Sequence, residues 1–189
     1  GVPPNKAIME AVIDICYKIE TLPVSLRSPE IQEQAYLALG IMTNQLFKSG
    51  QTKEAQEIAD KLHLQLGYHD PYIFKTKRAA QTVKERSASD NRKVLLLESL
   101  GNAGVPSSYE YIVSHVNTSN SPWIKRAGLH ALRKYDHEMA AEMMHYTALY
   151  DEDENVRYEA LILYQSHPKS KIITPLNRNS AGNATYIED

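Results

Sequence analysis

The chain has 189 residues, 42% of them hydrophobic and 23% charged, with a formal net charge of -2. These are ordinary values for a globular protein. They argue against a nucleic-acid partner, which would require a clear basic excess. No apolar run approaches the roughly 18 residues that span a bilayer, so no transmembrane segment is expected. The opening Gly1-Val2-Pro3-Pro4 shows no charged leader followed by an apolar stretch. A secreted form would then be a processed or excised piece of a larger chain.

Helical periodicity dominates from the start. Residues 5–19 place Ile8, Ala11, Val12, Ile15 and Ile19 on one predicted inward face. Cys16, the only cysteine, falls in this helix. It reads either as a small buried hydrophobe or as a disulfide partner for a part of the parent chain outside this sequence. After the loop 20–29, Ser28 caps a helix that has Pro29 at its first position. This helix runs to about Lys48, with Ile31, Ala35, Leu39 and Met42 inward, and Ser49-Gly50 ends it. Residues 52–66 form the next, with Ala55, Ile58, Ala59, Leu62 and Leu66 inward and Gly67 as its stop. Asp70-Pro71 opens a helix over about 71–85, and Ser89 or Asp90 caps another over about 90–102.

A repeat then becomes visible. Leu97, Leu129 and Leu161 are spaced by 32 residues, and Leu100, Leu132 and Tyr164 keep the same interval. Shorter helices fall between, over about 106–116 and 137–149. Pro106, Pro122 and Asn155 sit at turns, and Arg157 follows Asp153 at the spacing of a helix-start ion pair. Two helices and two turns per interval of this length mark an α-solenoid. One hairpin cannot bury its apolar face alone, so successive hairpins stack. The predicted fold is all-α, a HEAT-like solenoid or two-layer arch of antiparallel hairpins over 1–168. The tail 169–189, with Pro175, Gly182 and many Asn and Ser, lacks helical periodicity and reads as extended or disordered.

The ordered motifs resemble a family. Leu100-Gly101-Asn102-Ala103-Gly104, then Pro106, resembles a signature of the large lipid transfer proteins: vitellogenins, apolipophorins, apolipoprotein B and microsomal triglyceride transfer protein. Ile124 to Lys134, and Asp151 to Ala160 with Pro168 after it, look like the two elements that follow it there. Ala35-Tyr36-Leu37-Ala38-Leu39-Gly40 resembles the family's upstream helix. The resemblance covers about 30–168. It implies a helical arch that braces a lipid-holding β-sheet cavity in the intact protein, with lipid bound only by that intact protein. It also implies a secreted location. The partner would be the remainder of the parent chain or another subunit.

Chemistry is sparse. There is no phosphate loop and no nucleophile elbow, so neither an enzyme nor a cofactor is expected. Glu138, Glu142 and His145 share a helix face, but not at a metalloprotease spacing, and read as a solvated surface. Met139, Met143 and Met144 read as core filling. Lys75, Lys77, Arg78, Lys84 and Arg86 form a local basic stretch, a candidate contact for a polyanion or receptor, or else a solvated face. Asn117-Thr118-Ser119 and Asn183-Ala184-Thr185 are N-glycosylation acceptors in form. Tyr158 and Tyr164 are candidates for a docked face, since tyrosine offers large contact area with a polar tip. Two functions follow: a structural and docking domain of a secreted lipid carrier, or a general HEAT-type interaction scaffold without a lipid role.

Overall fold

The computed structural model describes residues 6–23, 28–68 and 83–170. Eight α-helices make up its regular structure: α1 (Lys6–Thr21), α2 (Pro29–Lys48), α3 (Thr52–Tyr68), α4 (Val83–Ala103), α5 (Tyr109–Thr118), α6 (Pro122–Leu132), α7 (Glu138–Tyr150) and α8 (Glu154–Ser166). A 3-10 turn, Pro106–Ser108, precedes α5. No strand occurs among the described residues.

The helix ends follow from local chemistry. The Ser28 hydroxyl accepts from the Ile31 amide at 3.4 Å and Pro29 occupies the first turn of α2. At the other end Gly50 takes φ +86°, a left-handed conformation that glycine adopts without strain. This lets the Gln51 amide donate to Leu46 O at 3.0 Å and satisfies a carbonyl the helix would otherwise orphan. Asp153 caps α8, accepting from the amides of Asn155 at 2.9 Å and Val156 at 3.0 Å. Arg157 therefore does not pair with Asp153 as its spacing suggested. Its guanidinium donates instead to the carbonyls of Asp151 (2.7 Å) and Glu152 (3.0 Å).

Helices α2, α4, α6 and α8 pack side by side in one layer, and α1, α3, α5 and α7 form the other arm of each hairpin. The arrangement is the two-layer helical arch expected from the repeat. A continuous core runs between the layers, from Tyr36, Leu39 and Leu46 through Leu62, Leu66, Leu96, Leu97 and Leu100 to Ile112, Leu129, Leu132, Met144 and Val156.

Glycine fixes how close the first layer packs. A Cβ on Gly40 would lie 2.5 Å from Ser99 O, and one on Gly101 would lie 2.5 Å from the Ala131 Cα. Helices α2 and α4, and then α4 and α6, thus approach backbone to backbone. Two hydrogen bonds lock the first contact: Ser99 Oγ donates to Tyr36 O at 2.9 Å in the interior, and the half-buried Asn44 Nδ2 donates to Ala103 O at 2.9 Å. Gly104, at φ +61°, then turns the chain out of α4.

Several expectations are corrected. The predicted inward face of α1 is not the one buried. Ile8, Ala11 and Ile15 are exposed, while Met9 and Cys16 are buried. Apolar residues cover so much of α1 that periodicity does not select the packed side. Cys16 is buried, as a small hydrophobe would be. Ile31 is exposed. No break occurs at Ser89 or Asp90. α4 runs unbroken from Val83, because neither glycine nor proline interrupts 83–100. The rest of the helix predicted over 71–85 lies outside the described residues, as does nearly all of the tail 169–189. Of the three methionines, Met144 is core, Met143 is half-buried and Met139 is exposed. The repeat register holds for Leu100, Leu132 and Tyr164, all buried. It holds for Leu97 and Leu129, both 0% exposed, but Leu161 is 37% exposed. α6 and α8 cover the first two leucines, and no described helix lies beyond α8.

Two substitution sets test this packing. Leu129→Ala is expected to lower unfolding free energy by about 2–5 kcal/mol, while Leu161→Ala lowers it by less than about 1 kcal/mol. Gly101→Ala is expected to cost about 1–3 kcal/mol, because its methyl meets backbone that cannot yield. Urea denaturation followed by circular dichroism measures all three. Equal losses at the two leucines would contradict the exposure of Leu161.

Candidate docking surface

The second half of the first layer presents an exposed face that combines aromatic, aliphatic and charged side chains. Trp123, in the first turn of α6, is 68% exposed, and Tyr158, in the second turn of α8, is 67% exposed. Ile162 lies one helical turn beyond Tyr158 and is also exposed. Large aromatic surface in water is costly unless something covers it.

Charged groups tie these helices together. Glu159 of α8 accepts from Arg126 Nε and contacts His130 Nε2, both on α6. The Arg126 guanidinium in turn lies 5.2 Å from the Trp123 ring centroid, a cation–π arrangement. Arg133 Nη1 lies 3.1 Å from His130 Nδ1. Lys125 reaches Asp151 at 2.6 Å. Burial alone would raise the Glu159 carboxyl, but the hydrogen bonds and charges of His130 and Arg126 hold it below its ordinary range. On α4, Glu98 is pushed up, first by burial and then by the neighbouring Glu33, with His130 and Arg133 partly offsetting. A charged strip thus crosses the layer from α2 to α8, through Glu33, Glu98, His130 and Glu159.

The two tyrosine candidates part company. Tyr158 is exposed, as a docking residue must be. Tyr164 is 5% exposed and stacks on His145, with centroids 4.9 Å apart. It completes the core between α7 and α8 and is withdrawn as a docking candidate. The same stack turns His145 toward α8, while Glu138 and Glu142 are exposed. Among the described residues no group of three acidic, histidine or cysteine side chains is placed to hold a metal. None of the described helices is long and apolar enough to cross a membrane. Asn117 is exposed in the last turn of α5, rather than in the turn after it. Asn183 lies outside the described residues, as do Lys75, Lys77 and Arg78. Lys84 and Arg86 fall within α4, their side chains outside the description.

At the opposite end, α1 and α2 enclose an open apolar cleft of about 380 Å³. Val12, Ile15, Ile31, Ala35 and Ala38 line it, with Glu30 and Gln34 at its edge. A buried histidine on α3 reaches the 3-10 turn and α5. His63 stacks on Tyr111 with centroids 4.0 Å apart and meets Ser108 Oγ at 2.9 Å. Burial holds His63 below its ordinary range, opposed in part by Asp60.

Trp123 and the Arg126–Glu159–His130 network are the features that sequence reasoning passed over. The signal was present: Arg126 and Glu159 are 33 residues apart, one repeat plus one position. Opposite charges at that offset face each other across neighbouring repeats.

The fold defines a helical-repeat domain. The chain belongs to the vitellogenin-type helical domain of the large lipid transfer proteins: the family model described as Vitellogenin TPR domain matches residues 2–177. No curated protein and no solved structure matches the chain significantly.

Two measurements probe this region. Glu159→Ala is expected to destabilise by about 1 kcal/mol, since the pair is only partly buried. The second concerns pH. His63 has a folded-state affinity for protons below the unfolded value near 6.5, so the stability it confers is complete above about pH 6.5 and is lost as pH falls from there. The melting temperature should therefore fall between pH 7.5 and 5.5, and His63→Gln should flatten that slope.

Proposed function

We propose that this chain is the structural and docking domain of a secreted lipid carrier, and that it performs no catalysis. Its partner is the remainder of the parent chain or another protein subunit, and lipid is held only by the intact protein. One observation carries this reading. Leu97 and Leu129 are sealed by the helices that follow, whereas the equivalent Leu161 lies open beside Tyr158 and Ile162. The face of α8 thus has the character of surfaces that, elsewhere in the same array, receive another helix. Tyr158 supplies the large amphipathic contact typical of binding hot spots. The helices direct their apolar faces toward one another, and the 380 Å³ cleft beside α1 is small and open beside the bulk of a neutral lipid. Secretion is supported by the family and by the exposed Asn117 acceptor. The end of the chain is read as a tail following the domain 1–168, although the family match continues to 177.

Tyr158→Glu is expected to leave the far-UV circular dichroism unchanged and to abolish association with the remainder of the parent chain in a pull-down. Retained association, or unfolding, would remove Tyr158 from the docked face. Expression through a eukaryotic secretory pathway should yield a chain that loses mass on N-glycan removal, and Asn117→Gln should remove the glycan carried on α5. The purified chain is expected to show no saturable triglyceride binding; stoichiometric binding would refute the division of labour proposed.

A further inference from the structure

We propose that the open face of α8 pairs with the same face of a second copy of this chain, antiparallel across a two-fold axis. The inference rests on the reading of that face as a docking surface and names its occupant. Tyr158, Leu161, Ile162 and Gln165 recur at the spacing of one helix face, and all four are exposed. Tyr158 is 67% exposed and Ile162 47%, so no described helix covers this side of α8. Glu159 is turned toward α6 by Arg126 and His130, which keeps its charge out of the apolar centre of the stripe.

The stripe complements itself when reversed. Its midpoint falls between Leu161 and Ile162. Turning a second α8 end for end at that point sets Leu161 against the partner's Ile162, twice over. It also sets Tyr158 against the partner's Gln165, a side chain that can meet the polar tip of the phenol. In the same register Glu154, exposed in the first turn of α8, faces the end of the partner helix where the partner's Lys169 stands. Glu154 and Lys169 are equally far along the chain from the midpoint, and Lys169 is exposed.

Each end of the pair therefore sets an anion against a cation, and the two-fold supplies that contact twice. Glu152 adds a second exposed anion at the acidic end. Antiparallel helices also bring opposite ends of their dipoles together. A parallel pair would set Glu154 against the partner's Glu154 and is disfavoured by like charge. Lys169 is available for the contact. Its ammonium lies 3.8 Å from Asp136, with both side chains largely exposed, a pairing that holds it only loosely. One surface thus satisfies its own apolar centre and both charged ends, which is the requirement for a closed, isologous dimer. A stripe one helix wide buries less surface than obligate dimers do, so the pair is weak and reversible.

Sedimentation equilibrium of the full chain over rising concentration, in low and high salt, tests the pairing. The native chain should dimerise reversibly, and more weakly in high salt. Glu154→Lys and Lys169→Glu should each raise the dimer dissociation constant about tenfold, since each sets like charges at both ends. An equimolar mixture of the two variants should restore dimerisation, because opposite charges then meet again at both ends. Both positions are exposed, and an unchanged far-UV circular dichroism spectrum should show that each variant folds. A native chain that stays monomeric, variants that dimerise as the native chain does, or a mixture without rescue would each overturn the proposal. If the chain stays monomeric while Tyr158→Glu still abolishes capture of the parent-chain remainder, the docking reading stands and the second copy is ruled out as its occupant. If the native chain neither dimerises nor captures that remainder, the docking reading itself fails.

Discussion

Helix α4 is squeezed between two neighbours at backbone distance, and the rest of the array depends on that squeeze. Gly40 admits Ser99 from one side and Gly101 admits Ala131 on the other. Because the helices touch through backbone, Leu97 and Leu100 are driven fully into the core. Interiors packed to this density leave little room for an added methyl. The run Leu100-Gly101-Asn102-Ala103-Gly104 is then intelligible position by position. Leucine fills the core, glycine permits the contact, alanine presents its carbonyl to Asn44, and the last glycine turns the chain.

The fold was legible in the sequence because its determinants are local or periodic. Ser28 with Pro29, Ser49 with Gly50, and Asp153 each act on amides or carbonyls within a few residues. The 32-residue interval gave the stacking and the placement of Leu97 and Leu129. What was not legible depends on neighbours rather than on the helix itself. Which side of α1 packs is decided by α2, so the periodicity of Ile8 and Ile15 was real but pointed the wrong way. Leu161 holds the same repeat position as Leu129, but no described helix lies beyond it. Arg157 found two carbonyls closer to hand than the carboxylate its spacing offered, because Asp153 was already engaged as a cap.

The exposed face of α6 and α8 is harder to read for the same reason. Its aromatic members come from single positions, Trp123 and Tyr158, rather than from a motif. Its charges pair across repeats, Arg126 and His130 with Glu159, where no helix-face rule applies.

The two joints of the first layer differ in character, and this difference bears on mechanics. Between α2, α4 and α6 the contact is backbone on backbone. Between α6 and α8 it includes long side chains, Arg126 and His130 meeting Glu159, around a buried apolar seam. Backbone contacts at glycine have almost no travel before they clash, whereas ion-paired side chains can change rotamer and still meet. The array should therefore bend unevenly under load, with α2–α4–α6 moving as a stiff beam. The last hairpin would act as the compliant end, able to adjust its angle to whatever it meets.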